Sequence, residues 1–141
     1  MNSEEHVAAV ISILDASSSE VASRLGRFFA AAREEGSAIE GILIDVFVDQ
    51  DGEGPFDVWA RFDGAGAFPL DRRFDEERRL FGVTWGARGW TPPVPGRPRG
   101  WSREDLEDAV VDAVGRWLEP LLPPGSPEGF WLIGSPDGGC A

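Results

Sequence analysis

The chain has no Lys and no Tyr, and its 141 residues include one Cys, one His and one Met. Each shortage excludes a chemistry. Without Lys there is no Schiff-base catalysis and no phosphate-binding loop of the GxxxxGK(S/T) kind, and GxGxxG is missing too. One imidazole and one thiol cannot assemble a transition-metal site of the usual kind. Serine catalysis would have to use the same His6, and no G-x-S-x-G elbow is present. His6 lies near a free end of the first expected helix and reads as a surface or helix-end residue. Cys140 is next to the C-terminus, has no internal disulfide partner, and reads as an exposed thiol. Carboxylate chemistry is the only enzymatic route left, and neither metal nor cofactor is expected.

Long apolar runs are lacking as well. None approaches the roughly 20 residues that a membrane span needs, and the opening MNSEEH has no signal core. A cytoplasmic protein without a membrane partner is expected. All 13 basic residues are Arg. Lys and Tyr have A/T-rich codons, so their absence points to a G+C-rich, bacterial genome.

What is present is globular material: 42 % hydrophobic residues, including 9 Phe and 6 Trp, interrupted by 18 Gly and 11 Pro. The net charge of −12 disfavours nucleic acid and favours a basic protein partner. The charge is unevenly spread. Residues 68–103 hold eight Arg against four acids, a net of +4, while the remainder holds five Arg against twenty-one acids, a net of −16.

Apolar spacing predicts helix over 4–35, through Val7, Val10, Ile11 and Leu14 and then Val21, Leu25, Phe28 and Phe29. DASSSE divides it into two helices or one kinked helix, with Ser17 and Glu20 in capping-box spacing and Gly36 after the end. Residues 41–63 read as a β-hairpin. Ile42, Ile44, Val46 and Val48 share one apolar face with Phe56, Val58, Ala60 and Phe62. Asp45, Phe47, Asp57, Trp59 and Arg61 then share the other. In 64–79, GAG is a loop, AFPL suits a short strand and DEERR a helical turn. Residues 80–94 suggest a second hairpin turning at GARG, with Phe81, Val83 and Trp85 on one face. PPVPGRPRG is an extended connector; it also matches P-x-x-P-x-R, read by SH3-type grooves. Residues 102–119 form an amphipathic helix, with Ser102 and Asp105 as a capping box, Trp101 and Leu106 as a staple, and Glu104, Glu107 and Asp108 on an acidic face. The apolar piece within GFWLIG suits an added edge strand.

The fold class expected is α+β: an antiparallel sheet of about four strands, packed by the N-terminal helices and the C-terminal amphipathic helix. Residues 1–141 make one domain, with 1–3 and 135–141 frayed. The expected core is Val10, Ile11, Leu14, Leu25, Phe28, Ile42, Ile44, Val46, Val58, Phe62, Val83, Val110, Val114 and Trp117.

Two acidic features invite a chemical reading. DQDGEG at 49–54 has the look of a calcium loop. With Gly52 at position 6, however, positions 1 and 12 fall on Phe47 and Val58, which carry no oxygen ligand. A hairpin turn is the better reading, with a weak cation site among crowded acids as the alternative. The Asp45, Phe47, Asp57, Trp59 and Arg61 face has two alternatives. Left open, it suits a sugar or a peptide, or a carboxylate-dependent hydrolase. Covered by a helix, it holds only an Asp45–Arg61 ion pair and core aromatics.

The series DQDGEGPFDVWARFDG, FGVTWG, GW, PPVPGRPRGW and a final acidic helix resembles small acidic bacterial proteins of uncharacterised families. In character it is similar to immunity proteins that neutralise toxins. The resemblance implies an α+β fold and a non-catalytic protein-binding role, and assigns no residue a function. The candidate binding surface is therefore Asp45, Phe47, Asp57, Trp59, Arg61, Glu104, Glu107 and Asp108. The edge strand leaves room for a homodimer.

Overall fold

Asn2 opens the first helix. The computed structural model of the chain describes residues 2–134, and Met1, the expected fraying of 135–141 and the thiol of Cys140 lie outside the described residues. The Asn2 side chain accepts from Glu5 N at 2.9 Å, and Asn2 N donates back to Glu5 Oε1 at 3.3 Å. This reciprocal cap satisfies two otherwise orphaned donors and starts the helix within the segment expected to fray.

Helix α1 runs Ser3–Leu14, a single 3-10 turn follows at Asp15–Ser17, and α2 runs Ser18–Glu34. The break falls where DASSSE puts it, for a different reason. Ser17 makes no side-chain cap. Instead Ser18 Oγ donates to Asp15 Oδ1 at 3.4 Å, and Glu20 accepts from Arg24. Gly36 ends α2 at φ 60°, in the left-handed region where glycine is favoured.

Strands β1 (Gly41–Val48) and β2 (Phe56–Asp63) pair antiparallel with Asp45 opposite Trp59 and Phe47 opposite Asp57, the register the alternation requires. The eight apolar residues of the inner face are all buried. Helix α3 (Ala67–Arg73) follows. It includes AFPL, so that piece is helical rather than a strand. Pro69 is tolerated in the first turn, where its missing N–H is no loss, and Leu70 and Phe74 reach the core.

The expected second hairpin divides at Gly82–Val83. Strand β3 (Arg79–Phe81) leaves it to pair with β2, while β4 (Thr84–Gly86) and β5 (Gly89–Thr91) form a separate two-stranded sheet. Phe81 is therefore buried, whereas Trp85 is 77 % exposed.

Helix α4 (Arg103–Leu118) carries the expected Ser102–Asp105 capping box. It brings the chain back so that β6 (Trp131–Gly134) enters beside β1, parallel to it, with Ile42 opposite Trp131. The sheet order is β3-β2-β1-β6. The fold is α+β as expected, with a mixed rather than wholly antiparallel sheet. Strand direction depends on where α4 delivers the chain, which an apolar pattern does not encode.

Helices α1, α2 and α4 cover the inner face. Phe28 sits at its centre, edge-on to Phe62 at 5.8 Å and to Phe74 at 5.1 Å. Of the expected core, Ile11 and Val83 are partly buried and the rest are fully so. No helix among the described residues is long and apolar enough to cross a membrane.

His6 overturns its surface reading. It is 1 % exposed, its ring lies 5.2 Å from that of Trp101, and among the described residues neither ring nitrogen finds a hydrogen-bond partner. Burial pushes the imidazole below its ordinary value because the apolar surroundings disfavour charge. The folded chain then binds this proton more weakly than the unfolded chain does. Its contribution to stability is intact above the ordinary histidine range and is lost as pH falls through that range towards the folded-state value. His6→Leu is expected to raise stability at pH 7.5 by about 1–2 kcal/mol, because two unpaired buried nitrogens disappear. Urea unfolding should also show a smaller loss between pH 7.5 and 5.5 than in the parent chain. An equal pH slope in both proteins would refute the assignment.

Candidate functional site

Among the described residues, no helix covers the outer face of the β1–β2 hairpin. Pleating directs Leu43, Asp45 and Phe47 of β1 and Asp57, Trp59 and Arg61 of β2 to this side. The parallel register of β6 adds Leu132 opposite Leu43. Phe47 is 44 % exposed and Leu132 is 42 % exposed. The covered-face alternative therefore fails, although the ion pair it invoked is present.

Asp45 accepts from Arg61 Nε at 2.7 Å, and this hydrogen bond is the largest effect raising the Arg61 guanidinium above its ordinary value. Asp57 is held by Arg79. Nη2 donates to Oδ1 at 3.4 Å, while Nε lies 3.3 Å from Oδ2, close enough for an ion pair but not aligned as a hydrogen bond. Trp59 Nε1 also donates to Asp57 Oδ2, at 3.4 Å. The Arg78 guanidinium lies 5.8 Å from the Trp59 ring centre, anchored by donating to the carbonyls of Ala60 and Asp71 at 3.1 Å each. Trp59 thus lies between one anchored cation, Arg78, and the Asp57 carboxylate, and forms an aromatic platform.

Two shallow depressions flank this platform. One of about 330 Å³ is lined by Asp45, Phe47, Trp59, Ala60, Arg61 and Arg78. The other, of about 300 Å³, adds Pro55, Asp57 and Val83 to Phe47 and Trp59. Phe47 and Trp59 belong to both and form the ridge between them. Aromatic and aliphatic surface between ion pairs can bind by shape and apolar area. Each Asp of this face is engaged by an Arg, Asp45 by Arg61 and Asp57 by Arg79.

The acidic residues of α4 separate. Glu104 and Asp108 are exposed, whereas Glu107 is 6 % exposed and therefore does not belong to the surface patch expected for it. Its Oε2 accepts from Arg103 Nη1 at 3.4 Å, and Arg103 also donates to the carbonyls of Val48 at 3.1 Å and Asp49 at 3.3 Å. This Arg joins the start of α4 to the end of β1, next to the hairpin tip.

At the tip, the Asp49 carboxylate accepts from Glu53 N at 3.0 Å, and Gly52 turns the chain at φ 62°. The carboxylate is spent on capping the turn. Among the described residues, no group of three or more His, Cys, Asp or Glu side chains is placed to hold a metal ion.

No curated protein and no solved structure matches the chain. Residues 1–141 match a family of unknown function, DUF6389, and the chain belongs to that family.

Proposed function

We propose that this member of the family is a non-catalytic protein-binding module that docks its partner on the outer face of the β1–β2 hairpin. The observation that carries this reading is the bare sheet face, with Phe47 44 % and Leu132 42 % exposed on either side of the Asp45–Arg61 pair. Single exposed apolar residues are ordinary. A stripe of Leu132, Leu43, Phe47 and Trp59 on one rigid sheet is the kind of surface that partners bury. The net charge of −12 favours a basic partner and a salt-dependent encounter. An immunity-type role, in which that partner is a toxin, is one form of this reading. Ligand hydrolysis is disfavoured because both carboxylates of the face are held by Arg.

The test is a binding assay of the purified chain against the products of neighbouring genes. A basic partner is expected whose affinity falls as salt rises. Phe47→Glu should weaken it at least tenfold, equivalent to about 1.4 kcal/mol, with the melting temperature unchanged because Phe47 lies outside the core. Salt-independent binding, or full affinity in the Phe47 variant, would refute the reading.

A further inference from the structure

A cavity of about 470 Å³ lies between the C-terminal end of α2 and the loop that leads into β6. It shares no residue with the hairpin face. Phe29, Ile39 and Phe130 line it with apolar surface, and Arg33, Glu40 and Glu128 line it with charge. Its size falls within the range of small-molecule sites, a few hundred Å³ upward.

The walls are built. Ser126 Oγ donates to the Pro123 carbonyl at 2.6 Å and accepts from Trp131 Nε1 at 3.0 Å. Phe130 N donates to the Pro127 carbonyl at 3.1 Å, and the Phe130 carbonyl accepts from Ile42 N at 2.9 Å, which ties the loop to β1. The Phe130 ring stands edge-on to Phe29 at 5.3 Å. The loop is therefore held off α2 by its own hydrogen bonds and leaves the space between them open.

The charges are unspent. The Arg33 guanidinium lies 5.6 Å from the centre of the Phe29 ring, and among the described residues neither it nor Glu40 nor Glu128 has an ion-pair partner. Opposite charges line one cavity without neutralising each other. Two carboxylates outnumber one guanidinium, and the C-terminal end of the 17-residue α2 adds the negative pole of its dipole. The complement of this site is a cation with an apolar body.

We propose that the cavity binds a small molecule carrying an ammonium group on an apolar body, the size of an aromatic amine or an apolar amino acid. The ammonium is held by Glu40 and Glu128, and the body lies on Phe29, Ile39 and Phe130. Arg33 contributes its stem and its contact with Phe29.

The experiment is an NMR titration of the ¹⁵N-labelled full chain with phenethylamine, ethylamine and phenylacetate. Phenethylamine at millimolar concentration should shift the amide signals of Gly125, Gly129 and Phe130. Ethylamine, which lacks the apolar body, should bind at least tenfold more weakly, and phenylacetate should leave these signals in place. The double variant Glu40→Gln/Glu128→Gln should lose at least tenfold in phenethylamine affinity, while Asp51→Asn, at the hairpin tip and outside the cavity lining, should stay within about twofold. All three side chains are exposed, so the variants keep the fold, as an unchanged melting temperature will verify. The absence of shifts with phenethylamine, equal binding of ethylamine or phenylacetate, or full affinity in the double variant would each overturn the proposal. None of these outcomes bears on the hairpin face, whose partner binding is read separately through Phe47→Glu.

Discussion

Phe28→Ala is expected to lower the free energy of unfolding by about 3–5 kcal/mol, the usual range for removing a buried Phe. Phe28 is 0 % exposed and packs edge-on against both Phe62 of β2 and Phe74 just after α3. The change therefore removes buried area and two aromatic contacts together. It also opens a space that α2, the sheet and α3 would all have to shift to fill. Native domains have only about 5–15 kcal/mol to lose, so the variant should unfold at much lower urea or fail to accumulate. Phe28→Leu separates volume from aromaticity and should cost less than half as much. A loss below about 1 kcal/mol for Phe28→Ala would mean that α2 does not pack on the sheet as described.

The second large effect is expected at Arg103. Arg103→Met should destabilise the chain by about 2–3 kcal/mol, below the full figure for breaking a buried pair because the Arg itself is partly exposed. Glu107 would be left buried without its cation, and the carbonyls of Val48 and Asp49 would each lose a donor. Glu107→Leu alone should cost less, because Arg103 keeps both carbonyls. The double variant should be more stable than the sum of the single losses implies, with a coupling of about 1 kcal/mol or more in a double-mutant cycle. Strict additivity would show that the two side chains do not interact in solution.

Several features were legible before any coordinates. The alternation in GILIDVFV and FDVWARFD determines the hairpin, its register and both of its faces, because a slip of one residue would turn the four apolar side chains of the slipped strand to water. Ser102 and Asp105 mark the start of α4 through purely local hydrogen bonds. Asn2 and Glu5 carry the same kind of signal at the start of α1, three residues apart, and could have been read there. His6 could have been placed as well. It precedes Val10 by four residues, so it continues the stripe of Val7, Val10 and Leu14 into the core. The chemistry of its ring argued for the surface, and helix geometry prevailed.

Other features depend on contacts between distant segments. The split of residues 79–91 between two sheets follows from β2 having a free edge beside it. The parallel entry of β6 follows from the path of α4. The burial of Glu107 follows from Arg103, which spans from the helix to the end of β1.

The amino-acid sequence by itself determined the classes of chemistry excluded, the α+β character, the main hairpin with its two faces, and the amphipathic helix at 103–118, because composition, alternation and capping act within a few residues. Only the tertiary structure decided that the Asp45, Phe47, Asp57, Trp59 and Arg61 face lies open, that Arg engages both of its carboxylates, and that Glu40 and Glu128 meet Arg33 around one cavity. Those outcomes depend on which segment comes to lie over or beside another, and no local pattern carries that information.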